Sequence, residues 1–145
     1  MSTEENKALA RRWNNEIWMK GNFAVIDELF ATNFVFNYAP PGVASDLEGY
    51  KQTVTNLCAP FADIHSITED MVAEGDKVAV RWTWRGTHKK GEVMGIAPTG
   101  KQVAITGISI LHIVVGKIME EWGEMDMLGM MQQLGAFPPP EQVGG

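Results

Sequence analysis

From Ile64 onward the apolar residues change their spacing from helical to alternating, and this change limits the architectures open to the chain. Before it, apolar side chains recur on helical stripes. Leu9, Trp13 and Ile17 form one; Phe23, Ile26, Leu29 and Phe30 a second; Tyr50, Val54, Leu57 and Phe61 a third. After it come runs with a period of two. Ile67 to Ala73 and Lys77 to Thr87 read as strands joined at Glu74-Gly75-Asp76, and Glu92 to Met94 as the possible start of another. Lys101 to Val115 turns at Gly116-Lys117 into Ile118 to Met125. Helices first and a strand meander afterwards predict an α+β fold, with helices on one face of an antiparallel sheet.

The punctuation agrees. Ser2-Thr3-Glu4-Glu5 is a capping box for the first helix, which Gly21 stops. Asn22 can cap a second, short helix. Thr32 to Tyr38 reads as an early strand ended by Pro40-Pro41-Gly42. Asp46 can cap the third helix and Asp126 a last one, Met127 to Leu134, stopped by Gly135. With 145 residues, no repeat and no linker composition, the expectation is one domain over 1–137, followed by a flexible Pro/Gly tail at 138–145.

Charge and composition narrow the function classes. A net charge of −6 repels phosphate backbones and disfavours nucleic acid as a partner. No apolar run reaches the roughly 18 residues of a membrane span, and the polar, acidic N-terminus is unlike a secretory signal, so a cytoplasmic protein without membrane contact is expected. The lone Cys58 and the scattered His65, His88 and His112 offer no metal-ligand spacing.

The strands carry the chemistry. In Val78 to Arg85, Val78, Val80, Trp82 and Trp84 share one face, as core or as a hydrophobic ligand wall, and Arg81, Thr83 and Arg85 share the other. Val103 to Ile113 is apolar on both faces, which predicts cover on both: helices or a pocket on one side, a second subunit on the other. A homodimer is the expectation. Met119, Met125, Met127, Met130 and Met131 fit either helix-to-sheet packing or an adaptable apolar cavity.

Three stretches resemble the SnoaL-like polyketide cyclases of the NTF2-like superfamily: Gly95 to Lys101, Gly107 to Trp122, and Asp126 to Gly135 with its Gln132-Gln133-Leu134-Gly135. The resemblance implies a cone or barrel in which a curved antiparallel sheet packs against three N-terminal helices plus a short C-terminal helix. It also implies a deep pocket for a small hydrophobic molecule, such as a carbonyl or polyketide-like compound, and intramolecular aldol chemistry without metal or organic cofactor. In that family a carboxylate on the last strand moves the proton, helped by polar groups on the preceding strand. Carried over, the carboxylate falls on Gly123, the helpers on Gly107 and Ser109, and an asparagine of the early strand on Phe36 or Asn37. Glycine cannot move a proton, so another acid must act if the chemistry persists.

Glu121, Glu124 and Asp126 are the neighbouring acids. With a plain two-residue turn at Val115-Gly116, Ser109 pairs with Trp122, and Glu120, Trp122, Glu124 and Asp126 share its face. One β-bulge brings Glu121 and Gly123 inward instead, the arrangement that the family's mechanism favours. The candidate catalytic residues are therefore Glu121 and Asp126. The candidate substrate contacts are Trp13, Asn37, Tyr38, Arg81, Ser109 and Trp122, with arginine suited to a ligand oxygen. Each has a plainer role open to it: Asp126 as the helix cap, Arg81 in a surface ion pair, Asn37 and Tyr38 in the turn, His112 as a hydrogen-bonded core or interface residue. Two readings compete with acid/base catalysis: a silent binding module, and a hydroxylase-like or isomerase-like member of the family.

Overall fold

The computed structural model describes residues 2–37 and 39–136. Helix α1, Thr3–Arg12, begins at the capping box. Ser2 Oγ accepts from the Glu5 amide at 3.1 Å, and Glu5 Oε1 accepts from the Ser2 amide at 3.1 Å. It runs on as a π-helical segment, Trp13–Met19, which Gly21 ends at a φ of 69°. A 3-10 turn, Phe23–Val25, leads into α2, Ile26–Leu29, and then β1, Phe30–Phe36. Helix α3, Leu47–Cys58, is capped by Asp46, whose carboxylate accepts from the Gly49 amide at 2.9 Å. Strands β2 (Phe61–Glu74), β3 (Lys77–His88), β4 (Gln102–Val114) and β5 (Lys117–Met125) follow, then α4, Met127–Gln133. The stretch at Glu92 to Met94 gives a single bridge, Val93 with Ile96, and no extended strand. The proline-rich tail from 138 lies outside the described residues.

The five strands form one sheet in the order β1-β5-β4-β3-β2. Three pairings are antiparallel, and β1 joins β5 in parallel at the edge. Bulges between Ala62 and His65 and between Thr68 and Asp70 interrupt β2, the kind of irregularity that bends a strand and deepens twist. The helices lie on one face. There Ile17, Ile26, Leu29, Phe30, Tyr50, Val54, Val78, Val80, Leu111 and Ile118 are all buried. Asn14 fastens the π-helical segment to β2: its Nδ2 donates to the Ser66 carbonyl at 3.0 Å, and its Oδ1 accepts from Ser66 Oγ at 2.6 Å. These bonds satisfy polar groups that burial would otherwise penalise.

β4 is inward at Val103, Ile105, Ser109, Leu111 and Ile113, all buried. Its other face stands open, with Ile108 53% and Ile110 38% exposed. The apolar second face expected from the sequence is thus present and uncovered in the single chain.

Candidate active site

The turn between β4 and β5 starts as a two-residue hairpin should, with Ile113 opposite Ile118. The ladder then slips: His112 pairs with Glu120, and Met119 is the extra residue. This bulge inverts the parity of everything beyond it. Ser109 pairs with Gly123, Leu111 with Glu121, and Trp122 with Ile110. β1 supports the bulged strand from its other side. Phe36 pairs with Glu121, and the Asn37 amide donates to the Glu121 carbonyl at 3.0 Å.

Between this stretch of sheet and the helices lies a cavity of about 390 Å³. Its lining is mostly apolar and rich in aromatic rings, with Trp13, Trp18, Trp82, Trp84, Phe36 and Phe61 among the residues that form it. A volume of that size suits a drug-sized apolar molecule. Met94, 73% exposed, belongs to the lining too and stands at the mouth. The loop that carries it is pinned by His88, buried, whose Nε2 donates to the Gly91 carbonyl at 2.6 Å and whose Nδ1 accepts from the Thr99 amide at 3.3 Å.

Polar groups in the lining are few. Trp13 Nε1 donates to Tyr50 Oη at 2.9 Å. Burial raises the Tyr50 phenol well above its ordinary range, with the nearby Glu121 adding to the effect, so the hydroxyl keeps its proton. Trp82 Nε1 donates to Ser109 Oγ at 3.0 Å, which leaves the serine's own proton for a neighbouring acceptor. Glu121 itself is 5% exposed, and its Oε2 has no hydrogen-bond partner. Burial pushes its carboxyl from an ordinary 4.5 up to about 8, while the Ser109 hydroxyl pulls the other way. At neutral pH the acid form therefore predominates over the carboxylate. A carboxyl so placed can donate to a carbonyl oxygen, and once ionised it is a far stronger base than a solvated glutamate.

Of the residues singled out from the sequence, Glu121, Ser109 and Trp13 meet in this cavity, and Glu124, exposed, borders it as well. Others are placed elsewhere. Trp122 is turned to the outer face by the Met119 bulge, beside Ile108 and Ile110. Arg81 stands on the outer face of β3 and is paired with Asp70, Nε to Oδ2 at 2.8 Å. Asp126 is exposed and caps α4, accepting from the Gly129 amide at 2.8 Å. Asn37 directs its side-chain amide to Glu120 at 3.2 Å. Tyr38 lies outside the described residues. His112, half-buried, sits between Asp76, 2.7 Å away, and Glu120, 3.3 Å away. Among the methionines, Met125 and Met127 line the cavity, whereas Met130 is buried in the core.

Trp18 and Tyr50 are among the contributors that periodicity did not single out as site residues. Trp18 lies five residues after Trp13, off the i, i+4, i+8 stripe. The wider π winding brings it round, and the two indoles meet edge to face at 6.4 Å. Among the described residues no cluster of three or more His, Cys, Asp or Glu side chains could hold a metal ion, and no helix is long and apolar enough to cross a membrane.

Comparison with known proteins places the chain in a family. No curated protein sequence matches the chain. Solved structures do. IdmH from Streptomyces antibioticus, proposed to be a polyketide cyclase, is 31% identical, with a TM-score of 0.76 over 93% of this chain and 99% of its own. TsrD from Streptomyces laurentii is 26% identical, with a TM-score of 0.83 over 94% and 99%. AclR from Streptomyces galilaeus, proposed to be a hydroxylase, is 28% identical, with a TM-score of 0.81 over 99% and 90%. The family described as SnoaL-like polyketide cyclase matches residues 8–134, nearly the whole of the described fold. The chain belongs to the SnoaL-like polyketide cyclase family, and its fold is the NTF2-like α+β fold of those proteins.

Proposed function

We propose that this protein is an acid/base enzyme acting on a hydrophobic carbonyl compound of the polyketide type, with Glu121 as the proton-transfer group. The observation that carries the reading is a carboxyl 5% exposed, with one oxygen unpartnered, in the wall of an aromatic cavity. A buried acid without a salt-bridge partner is expensive to keep, and functional sites are where such groups concentrate. In its ionised form Glu121 takes a proton from the carbon next to a carbonyl. The resulting enolate attacks a second carbonyl of the same molecule, forming one C–C bond, and the proton returns from Glu121 to the new alkoxide. Nothing but a proton is exchanged with the protein, so the step needs no electron carrier. The indole and phenyl walls hold the flat, apolar body of the substrate and exclude water. Trp82, through Ser109, steadies the polar end.

The same chemistry can be read without knowing the natural substrate. Hydrogen–deuterium exchange at the α-carbon of 2-tetralone reports the first proton transfer alone. The wild type should accelerate it, and Glu121→Gln should reduce the acceleration by about 10²–10⁴-fold. Tight binding of 2-tetralone, seen by tryptophan fluorescence, with no accelerated exchange would point to a binding module.

The uncovered outer face is read as the seat of a second copy of the chain. Ile108, Ile110 and Trp122 border a shallow hollow with Lys77 and Glu124 at its rim. A two-fold axis there would bring the lysine of one copy toward the glutamate of the other while burying the isoleucines.

A further inference from the structure

Gly123 lies in mid-strand on β5, opposite Ser109. Its φ is not in the left-handed region, unlike that of Gly116 in the turn before it, so the backbone itself does not call for glycine. Strand interiors disfavour glycine, which marks such a position as one where another group comes close. The group is identifiable. A Cβ at 123 would lie 3.1 Å from Glu121 Oε1, 3.4 Å from Ser109 Oγ and 3.8 Å from Glu121 Cδ. The first is closer than such contacts normally come. The carboxyl of Glu121 therefore leans over the bare α-carbon two residues along its own strand, on the side facing Ser109.

Gly107, on β4, plays the matching part for the neighbouring indole. A Cβ there would run into the Trp82 ring and the Glu124 carbonyl. Trp82 is the side chain that donates to Ser109 Oγ. The two glycines thus leave room for the two groups that converge on Ser109, an indole from one side and a carboxyl from the other. Oε2 of Glu121 has no hydrogen-bond partner, so apart from the Ser109 hydroxyl it is shape that decides which way that carboxyl points.

We infer that Gly123 is a positioning residue, whose missing side chain keeps open the seat of the Glu121 carboxyl beside Ser109 and so fixes the acid's direction in the cavity. This rests on Glu121 being the proton-transfer group. A methyl group at 123 pushes the carboxyl off the serine and adds apolar bulk around it. Both changes disfavour its charged form. An aspartate at 121, one methylene shorter, would withdraw from the seat and tolerate the methyl group.

The test compares wild type, Gly123→Ala, Glu121→Asp and the double variant by carbon-detected NMR titration of the residue-121 carboxyl. Thermal melts show which variants are folded. The inference expects Gly123→Ala to raise the Glu121 midpoint by about half a pH unit or more, and to have a smaller effect in the Glu121→Asp background. If Gly123→Ala fails to fold, folding restored in the double variant supports the seat. An unchanged midpoint in folded Gly123→Ala overturns the inference, as does failure of both alanine-123 variants to fold while Glu121→Asp folds. A wild-type Glu121 midpoint in the ordinary carboxylate range would instead defeat the assignment of the acid, a distinct outcome.

Discussion

Ser109 and Gly123 face each other across the β4–β5 ladder, and Ser109 Oγ accepts a hydrogen bond from Trp82 Nε1 at 3.0 Å. That pairing follows from one extra residue, Met119, between the turn and the site. It turns Glu121 inward and Trp122 outward. Chemistry at the cavity wall thus depends on the register of one hairpin, which β1 backs through its pairing of Phe36 with Glu121.

Burial of an unpaired acid ties stability to pH. Below about pH 4.5 Glu121 is protonated whether the chain is folded or not. As pH rises from there to about 8, the unfolded chain releases that proton while the fold retains it. Folding stability falls through this window by up to about 1.4 kcal/mol per pH unit from this group, and levels off above it. Glu121→Gln should lack this slope. Urea unfolding of both proteins at several pH values measures the difference, which should move in favour of the glutamine variant as pH rises.

Ser109→Ala removes two things at once. Trp82 Nε1 loses its acceptor, and Glu121 loses the hydroxyl that holds its carboxyl down. Stability should drop by about 1 kcal/mol or somewhat more, since the stranded donor is only partly buried, and the Glu121 midpoint should rise above about 8. Chemical denaturation reads the first effect and carboxyl titration the second.

Asp126 should prove structural. Asp126→Ala removes the cap of α4 and should cost about 1 kcal/mol, visible as a lower thermal midpoint. The rate of 2-tetralone exchange should stay within about twofold of wild type, because the carboxylate is engaged outside the cavity.

Light scattering should give the mass of a dimer at micromolar concentration, and Ile110→Glu should shift it to a monomer by placing a charge in the apolar hollow. A monomeric wild type would remove the second copy from the outer face.

The fold was legible because its signals are local and redundant. The capping box at Ser2, the caps Asp46 and Asp126, and the glycines at 21, 75, 116 and 135 bound elements whose interiors carry the matching apolar period. The site was legible only up to the hairpin register. Periodicity alone allowed either Trp122 or Gly123 opposite Ser109, since a bulge costs one residue and the mixed sequence Lys117–Met125 does not mark its place. Arg81 and Trp122 were singled out for their chemistry, but their side chains lie on the far face of the sheet. Trp18 was missed because a π-helical segment breaks the 3.6-residue count just where the helix meets the cavity. The parallel pairing of β1 with β5 joins residues some 85 positions apart, and nothing local encodes it.

The most direct measurement is the ionisation of Glu121 in the folded, ligand-free protein, followed by carbon-detected NMR of its side-chain carboxyl, with Glu121→Gln to assign the signal. A midpoint near 8 is predicted, from an acid enclosed by aromatic walls. A midpoint close to 4.5 would mean that water reaches the carboxyl, and would contradict its role as the proton-transfer group.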